Sequence, residues 1–199
     1  MKLAIYGGSF NPPHLGHVHA VRCVLETLQP DRFLVIPDNL PPHKELSSGS
    51  PSPEDRLALC RLAFQDLPGV EVSDLELRRS GKSYTSDTVS ALRVLYPDDS
   101  FYLVIGSDML LCFRQWVRYR YLLAECTLAV LSREGGDSEQ LQKVSRQLIA
   151  EEHARIILIP CIPFPASSTE IRMLLARREY PSALDDAVYQ AILEKHFYI

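Results

Sequence analysis

The sequence predicts an α/β protein with a doubly wound, mostly parallel sheet and a small helical segment closing the chain over 168–199. Three observations carry that prediction. Short apolar, β-branched runs of five to eight residues alternate with longer segments of helical spacing. The runs are apolar at consecutive positions, as in strands buried on both faces. The composition, 46% hydrophobic and 23% charged over 199 residues, is that of an ordinary globular domain.

The first run, KLAIY (2–6), reads as a buried strand that stops at two glycines. Residues 17–28 come next as a helix whose apolar face is Val18, Val21, Val24, Leu25 and Leu28. RFLVIP (32–37) is the second strand. A 16-residue connection from Asp38 to Pro53 leads on from it and takes in most of the Ser/Pro-rich stretch SSGSPSPE (47–54). Loops of that length in a compact α/β unit are often functional. Leu57, Cys60, Phe64 and Leu67 mark a helix over 54–67, VEVSDLEL (70–77) a strand, and Thr88, Leu92 and Leu95 a third helix. SFYLVIG (100–106), TLAVLS (127–132) and RIILIP (155–160) complete the strands. Helices over 138–152, 168–178 and 184–195 complete the rest. No internal repeat or linker separates these elements, so residues 1–199 read as a single domain with 168–199 packed on it.

The formal net charge of −4 removes a broad basic footprint, and with it nucleic acid as an expected partner. No run approaches the ~20 apolar residues of a membrane span, so no membrane is expected either. The five cysteines are odd in number and lack C-x-x-C spacing. They read as reduced, mostly buried thiols, which fits a cytoplasmic location. Gly81-Lys82-Ser83 imitates the end of a P-loop, but Glu76 stands where its first glycine belongs. The GxGxxG fingerprint and the G-x-S-x-G elbow are both missing.

One loop remains to be explained, GGSFNPPHLGH, residues 7–17. Two glycines let the backbone turn after the strand and approach a ligand, and Pro12 and Pro13 stiffen the path into the helix. His14 and His17 are three apart at a helix entry and share a side. Free amides at a helix start attract anions, and two imidazoles beside them suit phosphate oxygens. In a doubly wound sheet the ligand lies outside the carboxyl ends of the strands, where the strand order reverses. The loops after the first and fourth strands, 7–17 and 106–108, are the ones expected to flank it. A metal cluster of His14, His17 and His19 is the rival reading; His19, two residues beyond His17 on a helix, should point away from it. No metal site is expected.

Gly8, Phe10, Pro12, His14, Gly16 and His17 resemble the G-x-F-x-P-x-H-x-G-H signature of the HxGH nucleotidyltransferase superfamily. Ser167-Ser168-Thr169-Glu170-Ile171-Arg172 resembles its late S/T-x-x-I-R element. Pro41-Pro42-His43-Lys44, Ser83-Tyr84-Thr85 and Gly106-Ser107-Asp108 with Trp116 make the chain similar to the nicotinate-nucleotide adenylyltransferase family over nearly its whole length. Ser107, Ala166 and the Arg133-Glu134-Gly135 stretch depart from the family pattern without removing a contact group.

The resemblance implies a Rossmann-like fold and transfer of the adenylyl group of ATP to nicotinate mononucleotide, giving deamido-NAD and pyrophosphate. His14, His17 and Arg172 are implied as catalytic residues. Gly7, Gly8, Ser9, Phe10, Gly106, Asp108, Ser167, Ser168 and Thr169 join them around ATP. Lys44, Tyr84, Thr85, Asp108, Trp116 and Arg133 are implied around the mononucleotide. Mg²⁺ is expected, held mainly by the ATP phosphates. Homo-oligomerisation stays open. So do a nicotinamide mononucleotide acceptor and a non-catalytic nucleotide-binding role.

Plainer roles stand beside these. Ser167 with Glu170 fits a capping box, and Thr85 or Ser86 a simple N-cap. Lys44 suits a solvated surface, Trp116 a core, and Arg118 and Arg120 a solvated face.

Overall fold

The computed structural model describes residues 1–41, 46, 49–132, 139–162 and 164–198. Six strands form one sheet in the order β3-β2-β1-β4-β5-β6: β1 (Lys2–Gly8), β2 (Arg32–Pro37), β3 (Val70–Val72), β4 (Ser100–Gly106), β5 (Cys126–Ser132) and β6 (Arg155–Pro160). The β1/β4, β4/β5 and β5/β6 pairs run parallel, with Lys2 opposite Ser100 and Thr127 opposite Arg155. The order reverses between β1 and β4, as a doubly wound sheet requires.

The chain forms two compact units. The first comprises 1–6, 20–34 and 84–163. It contains α3 (Thr85–Leu95), α4 (Ser107–Leu111), a short 3₁₀ turn at Phe113–Gln115, α5 (Tyr119–Glu125) and α6 (Glu139–Glu152). Leu3, Ile5, Phe101, Leu103, Leu128 and Val130 are at most 2% exposed, so the continuous apolar runs are interior strands. β6, by contrast, is half-exposed over much of its length, as an edge strand is.

The second unit comprises 7–19, 35–83 and 164–199. In it, α2 (Pro53–Phe64) begins where the Ser52 hydroxyl accepts from the Asp55 amide, with Pro53 in the first turn. Its buried face packs with α7 (Ser168–Ala176) and α8 (Asp186–Glu194) through Leu59, Ile171, Leu175, Val188 and Ile192, joined by Tyr198 beyond α8. The Asp185 carboxylate caps α8 by accepting from the Ala187 amide. The first helix of the chain, α1 (Leu15–Leu28), starts inside the histidine loop.

Several expectations need correction. The strand predicted over 70–77 ends at Val72. The Ser73 hydroxyl takes the Leu75 amide and Asp74 opens a turn, so local side-chain bonding displaces the ladder. Leu95 does not line a buried face: it is 59% exposed, in the last turn before the chain leaves the helix at Tyr96. Only Cys60 and Cys126 are buried; Cys23, Cys112 and Cys161 are half-exposed, and none of the five forms a disulfide. The short helical elements between β4 and β5 were not predicted, because three to seven residues carry too few periodic positions to register. No helix among the described residues is long and apolar enough to cross a membrane.

Candidate active site

The loop between β1 and α1 is held from three directions within its unit. The first holder is Arg56. Its side chain is fully buried on α2, and its guanidinium donates to the Asp38 carboxylate at 2.8 Å. It also donates to the carbonyls of Ser9 at 2.7 Å, Asp38 at 2.7 Å and Asn39 at 2.9 Å. The Ser9 hydroxyl donates to the other Asp38 oxygen at 2.7 Å, and the Asp38 amide to the Gly8 carbonyl at 3.0 Å. Sequence reasoning passed over Arg56 as one more helix residue. The available signal was its place beside Leu57 and one turn before Cys60, on the apolar face.

The second holder is α7. The Ser168 hydroxyl donates to the Pro12 carbonyl at 3.1 Å. Arg172 donates to the Asn11 carbonyl at 2.7 Å and to the Thr169 hydroxyl at 3.1 Å. The late serine-arginine segment therefore lies against the histidine loop, 156 to 161 residues apart in sequence. Ser167 precedes the helix and is exposed, and its side chain makes no cap hydrogen bond. The expected Ser167–Glu170 capping box is not formed, and the serine that matters structurally is Ser168.

The third holder is the C-terminal segment. The Tyr198 hydroxyl donates to Asn11 Oδ1, and the Asn11 amide donates to the Ser50 hydroxyl at 2.8 Å. The Ala183 carbonyl accepts from the Leu15 amide at 2.9 Å. Inside the loop, Phe10 has a left-handed φ of 44°, an uncommon setting for a bulky residue and one that clusters at functional sites.

His14 and His17 lie with ring centroids 3.8 Å apart, and the Phe10 ring meets His17 edge-on at 5.0 Å. The His14 amide donates to His17 Nδ1 at 3.1 Å. That bond fixes the neutral tautomer: the ring proton sits on Nε2, which is a donor. Burial pushes His14 down to about 4. Burial, with the His14 charge adding to it, holds His17 well below the ordinary histidine range. Both rings are neutral at pH 7 in the ligand-free protein. His14 Nδ1 is buried with no hydrogen-bond partner among the described residues, an uncommon state that a ligand can resolve.

Acid stability follows from these shifts. Between its folded value near 4 and an unfolded value near 6.5, His14 binds a proton only when the chain unfolds. Its contribution is complete above pH ~6.5 and is lost as pH falls through 4, by about 3 kcal/mol. Denaturation midpoints measured from pH 7 to 4 are expected to fall more steeply for the wild type than for His14→Gln. Equal slopes would remove His14 as the source.

Gly16 is where close approach matters. A Cβ there would stand 3.0 Å from two atoms of the His14 ring and 3.4 Å from the Ala166 Cβ. Helix propensity favours alanine by about 1 kcal/mol, while displacing the buried ring costs about 1–3 kcal/mol. Gly16→Ala is expected to fold with little change in melting temperature while kcat/KM falls at least tenfold. Unchanged kcat/KM would show the ring position to be immaterial.

The other unit carries the remaining expected residues. Tyr84 is the residue before α3, in extended conformation and without a side-chain cap bond, so neither Thr85 nor Ser86 is the N-cap. Thr85 is the first residue of the helix, where backbone amides lack a preceding turn. Gly106 ends β4, and a Cβ on it would lie 2.5 Å from Asp108 Oδ1. The missing side chain lets that carboxylate fold back over the strand end. Trp116 is half-buried and packs on Phe113 with centroids 5.1 Å apart. Exposed Arg114 and Arg120 pair with Glu152, Arg114 also with Glu151, and exposed Arg118 lies 3.9 Å from Asp87. Lys44 and Arg133 lie outside the described residues.

A family model described as cytidylyltransferase-like matches residues 5–174, which sets the class: the protein is a nucleotidyltransferase enzyme. A relative from Fusobacterium nucleatum, named probable nicotinate-nucleotide adenylyltransferase, is 35% identical over 198 residues, covering 99% of each chain. One of the same name from Oceanobacillus iheyensis is 36% identical over 198 residues, covering 99% of this chain and 96% of its own. The chain belongs to the nicotinate-nucleotide adenylyltransferase family. Its fold is similar to that of Plasmodium falciparum nicotinic acid mononucleotide adenylyltransferase, solved with NaAD. The TM-score is 0.80 at 19% identity, with 99% of this chain and 97% of that one covered.

Proposed function

We propose that this protein transfers the adenylyl group of ATP to nicotinate mononucleotide, releasing pyrophosphate and forming deamido-NAD in NAD biosynthesis. The observation that supports this most is the fastening of α7 to the histidine loop through Ser168 and Arg172. It gathers helix amides, two imidazoles and a guanidinium into one donor-rich cradle suited to a triphosphate. Residues 1–199 act in this reading as one nucleotidyltransferase domain.

A phosphate oxygen of the mononucleotide attacks the α-phosphorus in line. The new P–O bond forms as the bond to the β-phosphate bridge breaks, and the electron pair leaves with pyrophosphate. The attacking oxygen is already anionic, so no general base and no covalent intermediate are required. The protein's task is to align the two phosphates and offset charge as it develops. His17 Nε2–H, the first amides of α7 and Arg172 do so, while His14 gains a partner for its buried nitrogen. Gly7, Gly8, Ser9 and Phe10 shape the loop against ATP, with Ser167, Ser168 and Thr169 at the start of α7. Gly106 and Asp108 are assigned to the ATP ribose. Tyr84, Thr85, Trp116, Lys44 and Arg133 are assigned to the mononucleotide, with the amides at the start of α3 facing its carboxylate.

Nucleotidyltransferases of this family work with a divalent metal ion. The cradle offers nitrogen donors, whereas Mg²⁺ prefers oxygen. Mg²⁺ therefore enters as part of the ATP substrate complex, bound by phosphates and water.

Pyrophosphate release with ATP and a panel of phosphorylated acceptors tests the reading. Nicotinate mononucleotide is expected to be preferred over its amide at least tenfold. The opposite preference would overturn the acceptor assignment, and no release with any acceptor would overturn the reaction.

A further inference from the structure

Outside the cradle, the described residues hold a cluster of soft ligands that adenylyl transfer does not use. On α1, His19 and Cys23 stand one turn apart, with an imidazole nitrogen and the thiol within 4.8 Å of each other. The Cys161 sulfur lies within the same distance of the Cys23 sulfur, and the two thiols hydrogen-bond. All three residues are half-exposed, so an ion can reach them. Both sulfurs stand on fixed backbone. Cys23 is inside a 14-residue helix, and the Cys161 amide donates to the Ser132 carbonyl at 3.2 Å just beyond β6.

We propose that Cys23 and Cys161, with His19, form a binding site for a thiophilic divalent cation of the Zn²⁺ type. Two thiolates and one imidazole are the donor set such an ion takes, at about 2.3 Å from sulfur and 2.0–2.1 Å from nitrogen. A fourth, tetrahedral position is filled by water. A dithiol meant only to close into a disulfide has no use for an imidazole one helical turn away, which favours the metal. Binding replaces two S–H bonds with two metal–sulfur bonds and releases two protons, with no change of oxidation state. The site is independent of the adenylyl-transfer reading.

The test uses the full-length protein, stripped with a chelator and reduced with a phosphine, without nucleotide. Co²⁺ titration is expected to saturate at one equivalent, with a thiolate-to-cobalt charge-transfer band and tetrahedral d–d bands. Zn²⁺ should then bleach both. Cys23→Ser and Cys161→Ser should each reduce affinity at least tenfold and shrink the charge-transfer band. His19→Gln should weaken binding while keeping it. On the unmodified chain, Zn²⁺ should shield Cys23 and Cys161 from alkylation, read by peptide mass spectrometry, and leave half-exposed Cys112 reactive. That readout needs no variant to fold. Absence of the charge-transfer band, or equal alkylation with and without Zn²⁺, would overturn the proposal. So would a reduced protein that takes up no metal yet loses two hydrogens to a Cys23–Cys161 disulfide in air.

Discussion

His17→Ala is expected to lower kcat by about 10²–10³-fold, the usual cost of removing one donor aimed at charge that develops in a transition state. ATP affinity should fall much less, because the loop amides and Arg172 still meet the ground-state phosphates. Alanine removes two functions at once, since His17 Nδ1 also holds the His14 amide. Two further variants separate them. Asparagine places its carbonyl oxygen near the position of Nδ1 and so keeps the loop bond but loses the Nε2 donor. Glutamine places its amide near Nε2 and does the reverse. If the donor carries the effect, glutamine recovers part of kcat and asparagine does not. The opposite order would make His17 a loop brace, and equal kcat in all three variants would remove it from the mechanism. Pre-steady-state pyrophosphate release measures the step directly.

The largest loss of stability is expected at Arg56→Ala, about 3–5 kcal/mol. The guanidinium is fully buried and serves four acceptors: the Asp38 carboxylate and the carbonyls of Ser9, Asp38 and Asn39. Its removal leaves the mostly buried Asp38 charge without its cation. Arg56→Lys should recover only part, because one ammonium cannot span that fork. Arg56→Met combined with Asp38→Asn should be less damaging than the two single losses added together, since the penalty comes from the stranded charge. Urea denaturation of these variants, with Arg56→Met and Asp38→Asn each measured alone, checks this. Strict additivity would show that Arg56 acts through packing alone. Because the same guanidinium holds the Ser9 carbonyl, KM for ATP should rise in whichever single variants still fold.

The strands were legible because buried parallel strands write themselves as unbroken apolar runs: four of the six fall within one residue of expectation at both ends. The histidine loop was legible because glycine, proline and histidine in that density have few other uses. Its supports were not. Arg56 went unmarked, since an arginine in an amphipathic helix carries no sign of its acceptors. Asn11 and Tyr198 are 187 residues apart, and no local pattern announces such a pairing. Ser168 and Ser167 are chemically identical, so only the helix register reveals which one faces Pro12. The turn after β3 was missed because the apolar spacing of residues 75–77 outweighed the weaker signal of Ser73 and Asp74.

The tail contacts set a timing. Synthesis runs from Asn11 toward Arg172 and Tyr198, so its carbonyl and side chain find these partners only after a further 161 and 187 residues have been made. Ordering the loop must await chain closure over that span, a non-local step of the slow-forming kind. A nascent chain stalled before residue 168 would carry every histidine of the cradle and still lack the partners that set their positions.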